Sequence, residues 1–415
     1  MKQVLILGAG KSSIYIIDRL IEHQVQWNIQ VMLADMSIEN LEARVGNKPA
    51  RKILLESGTV EEIETLFTPE SIVISMLPPL MHIEMAKLCL KYKSHLITPS
   101  YISEAMQALD AEAKQNGLVF LNEMGLDPGI DHMSAKQIID EWQAKGAVIK
   151  GLRSHCGGLV APASDTNRWH YKISWNPRNV VLAGAGSDFI KYKSKGENVL
   201  LRYEELFAHT SEIRLDDTCV FESYPNRDSL KYETAYGLQG IATLYRGTLR
   251  VPPFCKGWQK VVALGLTSTE HGFPALQKSD VQDPEVAEML QELGVFAVQS
   301  TESKAADVLQ QLLEKKWVME ATDKDRVVMI HEFELEYQGK EVHIRSSLVL
   351  DGENQLYTAM AKTVGLPIVF ATEMLLKGEL KTYGVRMPLD KEIYAPVLQK
   401  LAAEGIRFQE VIEGL

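Results

Sequence analysis

Val4-Leu5-Ile6-Leu7-Gly8-Ala9-Gly10-Lys11-Ser12-Ser13 decides the reading of this chain. The apolar run 4–7 predicts a buried strand. Two glycines then break it, just before a stretch at 12–22 whose apolar residues recur at helical spacing. In such a turn Gly8 permits a backbone conformation that other residues avoid. Gly10 lets an anion approach main-chain N–H groups at a helix N-terminus, where the helix dipole favours negative charge. Ser13 stands where a third glycine is usual. A bare glycine pair also suits an ordinary strand-to-helix turn, so the surroundings must choose between the two.

Outward from that turn, β-branched runs at 29–34, 52–55, 72–76, 95–98 and 119–122 alternate with helical patterns at 59–66, 80–92 and 104–115. The alternation predicts parallel βαβ units, an α/β doubly wound sheet with helices on both faces. In that setting the glycine turn becomes the first βα turn of a Rossmann dinucleotide-binding domain over residues 1–125. The second strand ends Leu33-Ala34-Asp35, which places a carboxylate where it accepts hydrogen bonds from the adenosine ribose hydroxyls. NAD is therefore expected ahead of NADP. The segment 36–40 brings no cation for a 2′-phosphate and adds Glu39, while Lys11 is the local positive charge through which NADP could still bind.

After Pro128-Gly129 the pattern changes to longer strands. Two of them, 327–337 and 342–350, flank Gln338-Gly339-Lys340 and read as an antiparallel hairpin. Residues 126–357 are thus expected to form a mixed α/β substrate domain, with a helical insertion at about 270–325 built on amphipathic stretches at 279–293 and 304–316. An apolar helix at about 358–376 is expected to join the Rossmann domain, and 377–415 to return to the domain junction. The formal net charge of -11 and the lack of a basic tract argue against a nucleic-acid partner. No uncharged apolar stretch reaches about 18 residues, so no membrane span is expected. Cys89, Cys156, Cys219 and Cys255 lie far apart without paired spacing, and the first apolar run is too short for a signal-peptide core; both point to a cytoplasmic protein with free thiols. His132 follows Asp131 but has no partner at metal-ligand spacing, so no metal is expected.

Several unusual strings follow the turn in order: Ile74-Ser75-Met76-Leu77-Pro78, Ser100-Tyr101-Ile102-Ser103, Asn122-Glu123-Met124-Gly125-Leu126-Asp127-Pro128-Gly129-Ile130-Asp131-His132, Cys156-Gly157-Gly158-Leu159, Tyr171-Lys172-Ile173-Ser174-Trp175, Tyr224-Pro225-Asn226-Arg227-Asp228-Ser229 and Arg246-Gly247-Thr248-Leu249-Arg250. This series resembles the glutamate-forming saccharopine dehydrogenases, closely from residue 1 to about 265 and more loosely beyond. Beside Gly8 of the glycine turn, the resemblance implies a cofactor loop at Gly10, Lys11, Ser12 and Ser13, a ribose contact at Asp35, and nicotinamide-side contacts at Leu77, Leu126, Asp127, Pro128 and Ser174. It implies substrate contacts at Ser100, Tyr101, Asp127, Arg227, Arg246, Gly247 and Thr248, and a homodimer. Fungal members similar to this chain carry Arg where Asp35 stands and use NADP, a departure that bears on cofactor choice.

The implied reaction interconverts saccharopine, NAD(P)+ and water with glutamate, 2-aminoadipate 6-semialdehyde and NAD(P)H. Saccharopine carries three carboxylates, so planar bidentate arginines are the natural clamps, and Arg227 and Arg246 are the candidates. Asp127, Cys156 and Tyr101 are the catalytic candidates for handling protons. Each has a second reading: Asp127 as a binding group, Cys156 as a packed small hydrophobe, Tyr101 as a positioning hydroxyl. Two other functions stay open, a dehydrogenase of another carboxylated amine such as carboxynorspermidine or lysine, and a non-catalytic NAD-binding sensor.

Overall fold

The apolar run that opens the chain forms β1 (Lys2–Leu7), in which Val4 to Leu7 are wholly buried. In this computed structural model the described residues are 1–183, 185, 189–217 and 219–415. β1 lies between β2 (Ile29–Asp35) and β4 (Ile72–Ser75), and its last residue, Leu7, pairs with Ala34 on one side and Ser75 on the other. With β3 (Arg51–Leu54), β5 (His95–Ile97), β6 (Val119–Leu121) and a seventh strand at Gly384–Arg386, the sheet runs Gly384–Arg386, β6, β5, β4, β1, β2, β3. Every pairing is parallel. Burial on both faces explains why the inner strands β1 and β4 read as continuous Val, Ile and Leu runs. The order reverses between β1 and β4, so the carboxyl ends of these two strands flank the crevice where α/β sheets bind ligands.

Local chemistry corrects two readings of this unit, which comprises Met1–Asp140 and Met360–Arg407. The stretch read as one helix at 104–115 is two, Glu104–Gln107 and Asp110–Gln115. Ser103 caps the first, and Asp110 opens the second with its carboxylate held by the Val385 N–H at 3.0 Å. That hydrogen bond also anchors the seventh strand, which is too short to leave a period in the sequence. A helix at Ile38–Arg44, capped by Ser37, escaped notice because Leu41 is its buried residue. The helix Ala359–Leu376 is long and apolar enough to cross a membrane by length and composition, yet it is largely buried within the protein. Its Gly365 lets the backbone approach helix Ile14–His23 closely, since a Cβ there would lie 3.2 Å from Tyr15 and Ile16 atoms.

The second unit, Glu141–Ala359 with Phe408–Leu415, is built on a mixed sheet with nine strands among the described residues. Its main path runs Ser211–Arg214, Val220–Pro225, Thr243–Arg250, Val148–Val160, Asp325–Tyr337, Lys340–Asp351 and Gln409–Glu413. Along that path Thr243–Arg250 and Val148–Val160 pair in parallel; the other pairings are antiparallel. The hairpin forms as read, because Gln338 and Gly339 both take positive φ (51° and 75°), the conformation a two-residue turn needs to follow strand twist. Helices Phe254–Ala263, Pro284–Leu293 and Ala305–Lys316 enclose an aromatic core in which Trp169 stands 6.1 Å from Trp258 and 5.4 Å from Trp317 between ring centroids.

Candidate active site

Gly8 has φ +100°, and a Cβ there would sit 3.0 Å from the Met76 carbonyl oxygen, so the tight turn after β1 requires glycine. A Cβ at Gly10 would meet open space, which leaves the backbone accessible at that point. The next turn, Lys11–Ser13, begins without a side-chain cap and runs into helix Ile14–His23. Its first N–H groups face the direction from which an anion would approach. Ser13 is buried and donates to the Gly10 carbonyl at 2.8 Å, which tightens the turn from below.

The Asp35 carboxylate faces this turn. Oδ2 accepts the Ala9 N–H at 2.6 Å and Oδ1 accepts the Ser37 N–H at 2.7 Å. A cation missed in the sequence also reaches the turn: Arg44 Nε donates to the Gly10 carbonyl at 3.4 Å. Burial lowers the Arg44 guanidinium pKa, and the Asp35 carboxylate opposes that shift. Arg44 lies beyond the segment 36–40, and only the helix that Ser37 caps brings its side chain back to the turn. These residues form a cradle that fits a nicotinamide dinucleotide, with N–H groups for the pyrophosphate and Asp35 for the ribose.

At the ends of β4 and β5 a buried histidine joins three hydroxyls. His82 Nδ1 lies 2.8 Å from Ser75 Oγ, and its Nε2 lies 2.7 Å from Ser100 Oγ and 3.3 Å from Thr98 Oγ1. Burial pushes the His82 imidazole down to about 4, so the ring is neutral at physiological pH. Sequence reasoning had Ser100 but not His82, whose place on a helix start carries no signature. The neighbouring Leu77 is half-buried.

Beyond β6 the loop that carries Asp127 is pinned by buried charge. Glu123, at φ +54°, accepts the Ile102 N–H at 3.0 Å and holds His132 Nε2 at 2.8 Å. His132 Nδ1 lies 3.6 Å from Asp131, which in turn accepts the Gly129 N–H at 2.6 Å. Leu126 and Pro128 are buried, whereas Asp127 is half-exposed and accepts the Tyr101 hydroxyl at 3.2 Å. The first unit thus carries the glycine turn, Asp35, Leu77, Ser100, Tyr101 and Asp127 at or beyond the carboxyl ends of its strands.

In the second unit, strand register places the candidates. Thr248 pairs with Cys156 on one side and Tyr224 on the other, and Arg246 pairs with Ser154. With side chains alternating, Arg246, Thr248, Cys156 and Tyr224 leave the sheet on one face. Arg246 is buried, with its guanidinium 4.7 Å over the Tyr232 ring, and its main-chain N–H donates to Ser229 Oγ at 3.0 Å. Arg227 is exposed at φ +53°, in a turn tied to Arg246 by the Asn226 N–H on the Arg246 carbonyl at 2.8 Å. The two arginines therefore occupy different dielectric environments. Cys156 is buried, and Gly247 has no room for a side chain, since a Cβ would lie 2.3 Å from Ser223 Oγ. Ser174 is buried with its hydroxyl unpartnered. Among the described residues no group of three or more His, Cys, Asp and Glu could hold a metal ion.

Comparison with known proteins identifies the architecture. Residues 4–121 match the family model of the saccharopine dehydrogenase NADP binding domain, and residues 125–406 match that of the saccharopine dehydrogenase C-terminal domain. A Saccharomyces cerevisiae protein named saccharopine dehydrogenase (NADP(+), L-glutamate-forming) is 30% identical, with 99% of each chain covered. The mitochondrial alpha-aminoadipic semialdehyde synthase of Bos taurus is 32% identical over 98% of this chain, but this chain spans only 47% of that relative's length. The solved apo structure of the L-Glu-forming saccharopine dehydrogenase from Saccharomyces cerevisiae superposes with a TM-score of 0.87 at 30% identity, covering 99% of this chain and 100% of that one. A homospermidine synthase from Legionella pneumophila shares the fold alone, at 9% identity and a TM-score of 0.63 over 99% of this chain and 91% of its own. This chain belongs to the saccharopine dehydrogenase family.

Proposed function

We propose that this chain is an oxidoreductase that interconverts saccharopine, NAD(P)+ and water with L-glutamate, 2-aminoadipate 6-semialdehyde and NAD(P)H, and that it uses NAD ahead of NADP. The observation that carries the substrate reading is the buried Arg246 guanidinium on the same sheet face as Thr248 and Cys156. Such a group suits a carboxylate rather than an uncharged ligand. Arg227 supplies a second, exposed clamp, and Ser100, Tyr101, Asp127 and the Arg246-Gly247-Thr248 stretch are the substrate contacts we assign.

The nicotinamide, when bound, supplies the hydride acceptor. The chain's own residues hold the substrate and manage protons around the secondary amine. Tyr101 donates its hydroxyl hydrogen to Asp127, so the two form a relay that can take the proton from the substrate amine or deliver one to the departing amino group. Cys156 is the third candidate, next to Thr248 in the strand register. Water adds to the imine left by hydride loss, and the carbinolamine breaks its C–N bond to release glutamate and the aldehyde.

The NAD preference rests on Asp35, whose carboxylate lies on the turn that would carry the pyrophosphate. The fungal relatives are named for NADP(+), and Arg44 offers a 2′-phosphate a partner, so the proposal is preference and not exclusion. Four free cysteines support a reducing, cytoplasmic setting. Mass spectrometry of the products tests the reading: glutamate and the semialdehyde should appear one for one with reduced cofactor.

A further inference from the structure

Arg250 stands on the same strand as the assigned contacts and has no role in them. It lies two residues beyond Thr248 on Thr243–Arg250, so its side chain leaves the sheet on the face shared by Arg246, Thr248, Tyr224 and Cys156. It is only 3% exposed. The rings of Tyr171, Phe254 and Tyr224 stand 5.0, 5.1 and 5.8 Å from its guanidinium. Nη1 donates to the Leu249 carbonyl at 2.8 Å, while Nε has no hydrogen-bond partner. The phenols of Tyr171 and Tyr224 and the thiols of Cys156 and Cys255 lie near it, and its partner in the strand register, Glu222, directs Oε2 to the Cys255 N–H at 3.1 Å. Among the described residues no carboxylate forms an ion pair with it.

A guanidinium has five donors and a permanent charge, and burying it without a counter-charge is costly. Three aromatic faces offset part of that cost but satisfy none of the N–H groups. The Glu222 carboxylate is turned to the Cys255 N–H, which leaves Arg250 Nε for an anion with two acceptor oxygens. We infer that Arg250 is a further substrate-binding residue, which takes a carboxylate of the amino-acid substrate at the sheet face bearing Thr248 and Cys156. The inference rests on the saccharopine reading, and it deepens it: that substrate has three carboxylates, whereas Arg227 and Arg246 account for two.

The test uses the full chain with saccharopine as the probe. Arg250→Lys keeps the charge and loses the fork, and it should raise KM for saccharopine by roughly tenfold or more with a smaller change in kcat. Binding of NADH, followed by its fluorescence, should be unchanged. Saccharopine should also raise the melting temperature of the wild type more than that of the variant. A folded Arg250→Lys protein with wild-type KM and a wild-type ligand-induced shift overturns the inference while leaving the saccharopine reading intact. A wild type that neither binds nor oxidises saccharopine removes both. If substitutions at Arg250 prevent folding, the wild-type protein crystallised with saccharopine decides: a substrate carboxylate on the Arg250 guanidinium supports the inference, and carboxylates placed elsewhere overturn it.

Discussion

Asp35 Oδ2 accepts the Ala9 N–H at 2.6 Å, so the carboxylate that ends β2 is fixed against the glycine turn that ends β1. A 2′-phosphate at this point would meet a negative charge at contact distance, whereas ribose hydroxyls would meet an acceptor. NAD should lead NADP by roughly tenfold or more in kcat/KM, and Asp35→Arg should narrow or reverse that ratio. Arg44→Gln should widen it, by removing the cation on the Gly10 carbonyl. Fluorescence titration with NADH and NADPH checks both variants without turnover. A wild type that prefers NADPH would show that Arg44 outweighs Asp35.

Arg227 gives a cleaner separation of stability from binding than most site residues do. Its φ of +53° is one a glycine adopts without strain. Arg227→Gly should therefore melt at or slightly above the wild-type temperature, while kcat/KM for saccharopine falls roughly tenfold to a thousandfold. Arg227→Lys should fall in the same direction, with NAD binding unchanged. Unaltered saccharopine kinetics in both would take Arg227 out of the site.

The buried histidines set an acid limit. His82 and His95 are both held down to about 4 by burial, against an ordinary value of 6.5. The folded state therefore binds their protons less readily than the unfolded chain does. Their stabilisation is complete above about pH 6.5 and is lost as pH falls through 6.5 toward 4, on the order of 1–3 kcal/mol each. Urea melts at pH 7 and pH 4.5 should show the loss, and His82→Gln should reduce it. An equal loss in the variant would mean that His82 is not the group responsible.

Glu123 is placed to orient, from behind, the Tyr101–Asp127 pair proposed as the proton relay. It holds the Ile102 N–H, one residue from Tyr101, and His132 on the far side. Glu123→Gln keeps the shape but weakens both hydrogen bonds, since charge-assisted bonds are about twice as strong as neutral ones. We expect kcat to fall and its pH profile to shift, with KM for NAD unchanged. A lower melting temperature with normal kcat and an unmoved profile would assign Glu123 to stability alone.

The Rossmann half was legible because a parallel sheet buried on both faces forces apolar runs that survive in the sequence, as in Val4 to Leu7 and Ile72 to Ile74. The glycine turn was legible because sterics at Gly8 admit one residue type. What escaped was set by tertiary contact: the strand Gly384–Arg386 is three residues long, the helix break before Asp110 answers to Val385, and Arg44 matters only where it folds back on Gly10. His82, Glu123 and Arg250 went unassigned for a related reason, since a buried polar group earns its meaning from partners far along the chain.

The most direct test of the whole account is a substrate-by-cofactor grid on purified protein, in which formation of reduced cofactor is followed with saccharopine, lysine and carboxynorspermidine, each with NAD and NADP. We predict turnover of saccharopine at a kcat/KM at least about a hundredfold above either other amine, because each bidentate arginine–carboxylate contact that a substrate lacks costs about 1.5–3 kcal/mol. Faster turnover of lysine or carboxynorspermidine, or dinucleotide binding without turnover of any amine, would contradict the account.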